Sequence, residues 1–529
     1  MKRDFSLLQN KKFDLLVCGG GIYGAWVAYD AALRGLKVAL VEQGDWASAT
    51  SSASSKLIHG GLRYLESFDF KLVRKALTER SRLLQAAPHR VWPLRFAVPV
   101  YRDSRVGTLK LKLGLTLYDF LAGSTDQAMQ HHYLDHERFM AHFPTLSHTR
   151  LQGGFTYVDA QTDDARLVLE LIAGAMTAGA VCLNYGQVTH LLEVDGQIFG
   201  AHVQDQQSSA TVEIPARQIV FATGQWNAAS AQGKDWCRLA KGIHLVMPAV
   251  LGNEALLLTA KSDGRFFFMI PWYGLTLLGT TDTDYRGSVE HVTVEAADVS
   301  YLLTAANAYL KTAWTQADII GQYAGVRVLK RSTQSAAAIL PSTVSRDWEL
   351  KTTNHNVHYS IGGKLTSARQ DAADIVDTVC SQLGLNVTCA TTDRAFPWVP
   401  QENFAAWTVA MNVRAAQLGI DTESAQWLIR RHGQRVTEIF QRIENESALT
   451  DRILPSLPFI YADLLHCARA EMVVHLEDLL RRRMPLLILA QLTQHDVQRL
   501  AMEVATIMNW DNKTVNREIE DCCKQWLHH

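Results

Sequence analysis

The feature that most constrains this chain is a glycine-rich turn between two apolar runs near the N-terminus. The first run, Phe13–Cys18, leads into a turn, a helical pattern and a second run that ends at Glu42. The glycines of the turn are Gly19, Gly21 and Gly24. This order predicts a strand, a tight loop, a helix and a strand, which together form one βαβ unit. Because such glycines let the backbone approach a pyrophosphate and the acid accepts from a ribose hydroxyl, the segment predicts dinucleotide binding.

Composition and charge limit the classes of protein to which the chain can belong. Its 529 residues are 47% hydrophobic and 20% charged, which is typical of a soluble globular protein. The length suggests about three to four domains. Lys and Arg (52) nearly balance Asp and Glu (53), so no overall field attracts nucleic acid. We therefore expect no nucleic-acid partner and only local anion sites.

The eight cysteines form neither a CxxC pair nor a Cys/His cluster with zinc-site spacing. This distribution predicts reduced thiols, no metal, and a reducing, cytoplasmic location. The most apolar stretch, residues 266–279, contains Pro271 and Gly274. Because it is also shorter than the ~20 residues of a spanning helix, we expect no transmembrane segment.

A loop after the second strand favours a flavin over a nicotinamide cofactor. Further βα units would continue a typical nicotinamide-binding domain, but here TSSASSKLIHGGLRYLE follows at residues 50–66. Its hydroxyls, lysine, histidine and glycine pair offer many hydrogen-bond donors. A second glycine pair, Gly362 and Gly363, precedes Lys364 and a predicted helix. We expect the N-terminal dipole of that helix to point at the pyrimidine side of a flavin.

The remainder of the chain shows two further patterns. RQIVFATGQW, residues 217–226, predicts another buried strand that runs into Gly224. Residues 241–361 alternate short aromatic and β-branched runs with turns, which predicts an antiparallel sheet in a second domain. Beyond a proline-containing linker at 392–404, apolar residues recur at helical spacing to the end of the sequence.

Several uncommon strings occur in the order found in one flavoprotein family. They are GGGIYG, SSASSKLIHGGLRYLE, TDDARLV, FATGQW, KGIHLVMP, LLGTTDTDY, YAGVRVL and GGKLT. Through them the chain resembles the FAD-dependent glycerol-3-phosphate dehydrogenases of the D-amino-acid-oxidase-like superfamily. The helical C-terminal part is similar to that family's cap domain. The resemblance implies an α/β fold, with a doubly wound, Rossmann-like FAD-binding domain, an inserted antiparallel-sheet substrate domain and an all-helical C-terminal domain.

The resemblance also implies domain boundaries and a cofactor site. We place the FAD-binding domain at residues 10–100, 150–240 and 355–390, the substrate-binding domain at 100–150 and 241–354, and the helical domain at 400–529. The residues expected around FAD are Gly19, Gly21, Gly24, Glu42, Thr50, Ser51, Ser52, Ser55, Lys56, His59, Gly60, Gly61, Gly224, Gly363, Lys364, Leu365 and Thr366.

Charge matching predicts what the substrate pocket needs. A phosphate ester carries a charge of about −1.5 to −2 at neutral pH, so its pocket should hold several cations. The family's contacts with glycerol phosphate map onto Arg63, Tyr64, Arg327, Arg346 and Lys364. We expect His244 to be the base that removes the C2 hydroxyl proton, with His59 in reserve and Arg327 also in the catalytic set.

The expected function is oxidation of sn-glycerol 3-phosphate to dihydroxyacetone phosphate, with electrons passed from FAD to a quinone. An amine or amino-acid oxidase of the same superfamily, which returns electrons to oxygen, is an alternative. A non-catalytic FAD-binding scaffold is a third. Further expected partners are a membrane surface, met by LKLKLGLTLYDFLAG at residues 109–123, and a second copy in a homodimer. That segment fits either a helix or a strand.

Overall fold

The chain folds around two β-sheets and a C-terminal group of helices. A computed structural model describes residues 1–66, 68–230, 233–331 and 347–527. Its strands are β1 Phe13–Cys18, β2 Val38–Val41, β3 Leu57–Ile58, β4 Val91–Tyr101, β5 His132–Asp135, β6 Leu151–Thr162, β7 Val181–Leu183, β8 Gly186–Val194, β9 Gln197–Asp205, β10 Thr211–Phe221, β11 Cys237–Met247, β12 Ala255–Thr259, β13 Phe266–Trp272, β14 Leu275–Gly279, β15 Thr283–Asp284, β16 Gly321–Lys330, β17 Glu349–Thr353 and β18 Val357–Ile361.

The helices divide between the sheets and the C-terminal part. They are α1 Ile22–Leu33, α2 Phe70–Ala86, α3 Thr108–Ala122, α4 His136–His142, α5 Asp164–Thr177, α6 Ala296–Asn307, α7 Ala368–Gln382, α8 Phe404–Gln417, α9 Thr422–His432, α10 Val436–Asn445, α11 Tyr461–Ala470, α12 Leu486–Leu489, α13 Gln494–Met508 and α14 Asn512–Trp526. None of the helices in these ranges is both long and apolar enough to cross a membrane.

The first sheet carries the glycine turn. Its strand order is β17-β18-β10-β1-β2-β7, and the pairs from β18 to β7 are parallel, while β17 adds an antiparallel edge. Strand β1 is almost wholly buried, because helices cover both faces of a doubly wound sheet. The α1 helix packs against both α5 and α7. This arrangement places the carboxyl ends of β1 and β10 side by side, where such folds bind ligands.

The second sheet is mainly antiparallel and has the order β15-β11-β14-β13-β12-β4-β6-β3. Strand β16 pairs with β11, and one pair, β12 with β4, is parallel. The predicted domain boundaries stay a prediction. Strands β4 and β6, which that prediction assigns to the FAD-binding domain, pair antiparallel with each other within the second sheet. Strand β17, predicted within the substrate domain, instead pairs with β18 in the first sheet.

The C-terminal helices pack against the second sheet through aromatic residues. The Tyr273 ring, just after β13, stacks on Trp427 of α9 with centroids 3.8 Å apart. Trp92 of β4 meets the same indole edge-on at 5.9 Å. One apolar core therefore runs from the sheet into the helical part.

Candidate active site

A cavity of about 1160 Å³ lies between the two sheets and opens at the carboxyl ends of β1 and β10. Its walls include the glycine turn, the loop at 50–66 and the turn after β18. Most small-ligand sites measure about 300–1,000 Å³, so this one has room for a large cofactor together with a small substrate.

The glycine turn forms a cradle in which side chains have no room. Gly19 has a φ of +110°, and a Cβ there would lie 2.6 Å from the Ala222 carbonyl oxygen. A Cβ on Gly24 would lie 1.8 Å from the oxygen of Gly19. Helix α1 begins at Ile22, whose N–H donates to Ser51 Oγ at 2.9 Å. The helix N-terminus and the loop thus meet at a place suited to a pyrophosphate.

Glu42 occupies the position expected of a ribose-binding acid. Its carboxylate accepts from Gly20 N–H at 2.6 Å and from Gly44 N–H at 2.8 Å. Burial raises the pKa of Glu42, and these two N–H groups oppose the rise. A carboxylate has about four lone-pair sites, so this one keeps acceptors for a hydroxyl in the cavity.

The second glycine pair also lines the cavity. Gly363 has a φ of +92°, and a Cβ there would lie 1.7 Å from the Tyr23 hydroxyl. That hydroxyl accepts from Lys364 N–H at 3.1 Å and donates to Asp371 at 2.7 Å. Helix α7 begins at Ala368, four positions after Lys364. The predicted helix start is therefore present, but one turn further along the chain.

Two cations lie against one aromatic ring in the cavity. The guanidinium carbon of Arg63 lies 4.8 Å from the centre of the Tyr64 ring, and Lys364 Nζ lies 3.9 Å from it. Arg63 also donates to the Tyr64 hydroxyl at 3.0 Å. Gly61, with a φ of +78°, leaves space for this ring. The cluster is a local positive centre, as a phosphate site requires.

Arg327 reaches the cavity from β16. It donates to Thr280 Oγ1 at 2.9 Å and to the Thr281 carbonyl at 3.2 Å, and it lies 3.3 Å from Asp282. A Cβ on Gly242 would lie 2.5 Å from the guanidinium, so the neighbouring strand needs glycine there. These contacts fix the orientation of the guanidinium at the cavity wall.

His244 lies on β11, where β14 and β16 both pair with it. Its ring stacks on Tyr323 with centroids 5.0 Å apart, and its Nε2 lies 2.8 Å from Ser55 Oγ. Burial, followed by the charges of Arg327 and Lys56, holds the pKa of His244 well below its usual value. The imidazole is therefore neutral at pH 7 and available as a proton acceptor.

Two family descriptions match the chain. "FAD dependent oxidoreductase" matches residues 14–369, and "C-terminal domain of alpha-glycerophosphate oxidase" matches residues 402–515. Glycerol-3-phosphate dehydrogenase 2 of Mycobacterium tuberculosis strain H37Rv is 34% identical over 521 residues, which are 97% of this chain and 88% of that protein. Glycerol-3-phosphate dehydrogenase of Synechocystis is 36% identical over 505 residues, which are 91% and 90%. The chain belongs to the FAD-dependent glycerol-3-phosphate dehydrogenase family.

Solved structures agree with this membership. Glycerol-3-phosphate dehydrogenase from Bacillus halodurans, complexed with FAD, superposes with a TM-score of 0.80 at 27% identity and covers 99% of this chain and 96% of its own. Glycine oxidase from Geobacillus kaustophilus superposes at 0.54 with 17% identity, over 74% and 99%. That similarity shows the fold alone. The predicted fold class and family are confirmed.

The cavity fits the FAD of the dehydrogenase family. Side chains are excluded at Gly19 and Gly363 because each would collide with neighbouring atoms. Glu42 and the first residues of α1 line the cavity, as do Lys364 and Thr366. The site thus has both a phosphate cradle and a second set of donors for a flavin ring.

Most of the predicted site residues line this cavity. Those at its walls are Gly19, Gly21, Glu42, Thr50, Ser51, Ser55, His59, Gly61, Arg63, Tyr64, Gly224, His244, Arg327, Gly363, Lys364, Leu365 and Thr366. Gly24, Ser52, Lys56 and Gly60 lie behind the wall. Arg346 falls outside the described residues. His59 donates its backbone N–H to Thr366 Oγ1 at 3.1 Å, and its ring meets Phe268 edge-on.

Lys56 has a different environment from the one expected in the family's cofactor loop. Its ammonium is 2% exposed, lies 2.6 Å from Asp164 and donates to the Ser52 carbonyl at 2.7 Å. It therefore stabilises the loop from behind, and it is not among the residues that line the cavity. Sequence reasoning also missed Thr280 and Asp282, which hold Arg327, although both lie in the quoted string LLGTTDTDY.

The C-terminal part of the dehydrogenase also contacts the loop that follows Glu42 at the FAD site. Asp45, three residues after Glu42, is buried and accepts from Arg482 at 2.6 Å and from Arg483 at 2.9 Å. Both arginines lie in one turn of π-helix at Asp478–Arg483. Their charges outweigh burial and lower the pKa of Asp45. The helical part thus completes a segment of the FAD site that is distant in sequence.

Proposed function

We propose that the protein oxidises sn-glycerol 3-phosphate at C2 to dihydroxyacetone phosphate and passes the electrons to a quinone. The observation that carries the proposal is the pair of cations, Arg63 and Lys364, on the Tyr64 ring inside the flavin cavity. Arg327 adds a third cation on the same cavity surface. A phosphate dianion needs such convergent charge, whereas a single carboxylate needs less.

His244 serves as the base in this proposal. Its neutral imidazole accepts the C2 hydroxyl proton at Nε2, where Ser55 Oγ lies at 2.8 Å. Lys56 and Arg327 keep the ring unprotonated before the reaction. Bound FAD supplies the two-electron acceptor for the hydride from C2. His59 stays the reserve base because it also lines the cavity.

Anaerobic reduction of the flavin tests the substrate. Glycerol 3-phosphate should bleach the oxidised flavin spectrum, whereas glycerol, sarcosine and alanine should leave it unchanged. Bleaching by sarcosine or alanine alone would favour the amine or amino-acid oxidase. A flavin that none of the four reduces would favour the non-catalytic scaffold. In the same assay, Arg327→Lys tests whether the substrate needs the guanidinium, since the variant keeps the charge and loses the guanidinium fork.

We infer that helix α3 and the adjoining loop rest on a membrane that contains the quinone. Leu109, Leu113 and Phe120 are 73%, 63% and 79% exposed on one side of α3, and Phe68 is 77% exposed beside them. Phe68 also lines the cavity. Lys110, next to Leu109, lies 3.9 Å from Glu66 and is largely exposed. Apolar side chains next to lysines are typical of an interfacial helix.

Flotation with vesicles that contain anionic lipid tests this surface. The protein should float with the vesicles, and the double change Leu109→Ser, Leu113→Ser should leave it at the bottom. Met502→Ser is a control, since Met502 is 63% exposed on α13. Equal flotation of the double variant would contradict the inference. The homodimer and the cytoplasmic location stay predictions.

A further inference from the structure

A second cavity, of about 790 Å³, lies between the C-terminal helices and the corner where α2 leads into β4. Helices α8 and α9 form one wall, and residues 80–93 form another. Ser124, Asp126 and Met129, after α3, complete the lining. The partly exposed apolar side chains at the cavity include Leu84 and Phe404. Its volume falls within the range of small-ligand sites. It shares no lining residue with the flavin cavity.

A guanidinium without a carboxylate partner faces this cavity. The Arg430 guanidinium carbon lies 4.5 Å from the centre of the Trp92 ring and 5.1 Å from that of Trp427. Across residues 1–66, 68–230, 233–331 and 347–527, its side chain forms no ion pair and no hydrogen bond. Burial lowers the pKa of Arg430, and only the Tyr273 phenol opposes this. The two indoles hold the guanidinium in place while its charge stays uncompensated.

Three further polar atoms of the cavity walls lack partners. Arg80 is 2% exposed, and its Nε is a donor without an acceptor in the described parts of the chain. On the opposite wall, Thr408 Oγ1 and Asn412 Oδ1 are likewise buried and unpaired there. Buried polar groups of folded proteins almost always have partners. These three buried atoms, together with the half-buried Arg430 guanidinium in the same cavity wall, therefore indicate a polar ligand or tightly held water.

We propose that this cavity binds an amphiphilic anion, with a phosphate or carboxylate head at Arg430 and an apolar body between α8 and the α2–β4 corner. The head compensates the Arg430 charge and accepts from its N–H groups, which a planar guanidinium donates in pairs. A protonated or hydroxyl oxygen of the head satisfies Thr408 and Asn412. The apolar body covers Leu84 and Phe404, which line the cavity and are partly exposed.

Titration calorimetry with four probes tests the proposal. Decyl phosphate and decanoate represent the two anionic heads, 1-decanol lacks the charge, and inorganic phosphate lacks the body. At least one decyl anion should bind FAD-loaded protein with one-to-one stoichiometry and at least tenfold more tightly than either 1-decanol or inorganic phosphate. The comparison of decyl phosphate with decanoate identifies the head. Absence of binding, or equal binding of 1-decanol, would overturn the proposal.

Two variants locate the bound anion. Arg430→Gln should weaken binding of the decyl anion roughly tenfold or more, because it removes a charge-assisted contact. Arg414→Gln is the control, since Arg414 lies on α8 but pairs with Glu444 at the surface. Arg327→Ala should also leave binding unchanged, which separates this cavity from the active site. If Arg430→Gln misfolds, Asn412→Leu, on the neighbouring helix α8 of the same wall, gives the same comparison. Equal binding by folded Arg430→Gln or Asn412→Leu would place the anion elsewhere and end the proposal.

Discussion

Arg327 combines an exposed charge with a fixed orientation. Its side chain is 22% exposed, yet Thr280, Thr281 and Asp282 hold one edge of the guanidinium. The same side chain lines the cavity. A guanidinium prepared in this way loses little freedom when a phosphate binds.

Arg327→Ala should lower kcat/KM for glycerol 3-phosphate by roughly tenfold to a few hundredfold, because a charge-assisted contact contributes about 1.5–3 kcal/mol. Arg327→Lys should restore part of this, since it keeps the charge. Steady-state kinetics with a check of FAD content measures the effect. Loss of FAD, or unchanged kcat/KM, would show that Arg327 has a structural role only.

The neutral state of His244 predicts a pH profile. Because its pKa is lowered, the base form persists below pH 6.5, and flavin reduction should show no acid limb near that pH. His244→Ala should slow reduction at saturating glycerol 3-phosphate about 10²-fold or more. Anaerobic stopped-flow measurements from pH 5.5 to 8 test both statements. An acid limb near pH 6.5 in the native enzyme would contradict the lowered pKa.

Where a local pattern carries the chemistry, the motifs predicted which residues lie at the cavity wall. Gly19, Glu42 and Arg63 lie in short ordered strings, and each lines the cavity. Lys56 lies in an equally strong string but turns inward to Asp164, which is 108 positions away. No local signal reveals such a partner, because the fold alone brings the two charges together.

At the scale of elements, buried ion pairs join the π-helical turn at Asp478–Arg483 to Asp45 in the loop after Glu42. Asp45→Asn keeps the shape of the carboxylate but removes the carboxylate partner of Arg483 within the described parts of the chain, whereas Arg482 keeps Glu477 and Asp478. Removal of one member of a buried ion pair costs about 3–5 kcal/mol. The variant should unfold at lower temperature and release FAD faster, as thermal unfolding followed by flavin fluorescence would measure.

A surface ion pair gives the matched control. Arg414 and Glu444 lie 2.7 Å apart with side chains 31% and 47% exposed. Glu444→Gln should change the free energy of unfolding by less than about 1 kcal/mol. Similar effects of the two changes would mean that the contact at Asp45 does not couple the C-terminal part to the FAD site.

The sequence predicted whether an element is a helix or a strand better than it predicted the sheet to which each strand belongs. The βαβ unit and the C-terminal helices follow from hydrophobic period, and both are present. The pattern of residues 109–123 fitted either a helix or a strand, because both accounted for the spacing of its leucines. In the structure this segment is the helix α3. The sheet to which β4 and β6 belong depends on pairing across some sixty residues, which no local period encodes.

At the scale of the whole molecule, buried histidines make stability depend on pH. Burial lowers the pKa of His358 to about 4, and burial with the charge of Arg435 lowers that of His466 to about 4. In the unfolded chain a histidine titrates near pH 6.5. As pH falls below about 6.5, the unfolded state takes up these protons first, so the folded state loses stability down to about pH 4.

Urea unfolding between pH 7 and 4.5 measures this loss. Each such histidine should lower the free energy of unfolding by about 1.4 kcal/mol per pH unit within that window. His358→Gln should reduce the slope of the unfolding free energy against pH by the equivalent of about one bound proton, whatever its effect on stability at pH 7. Glu170 has a pKa of about 2, so its contribution to the free energy of unfolding is lost only below pH 4.5, outside the measured range. A slope unchanged by His358→Gln would contradict the neutral state of that residue.

The attachment of Asp45 to Arg482 and Arg483 also bears on how the protein is made. These partners are 437 and 438 positions apart in the chain. A ribosome that has finished the glycine turn and the strands around it must still translate the helical part before the loop after Glu42 is fixed. We therefore expect FAD to be taken up stably only after the π-helical turn has been translated and has left the ribosome. Chains that end before the π-helical turn, although they contain every motif of the cofactor site, should leave the ribosome colourless.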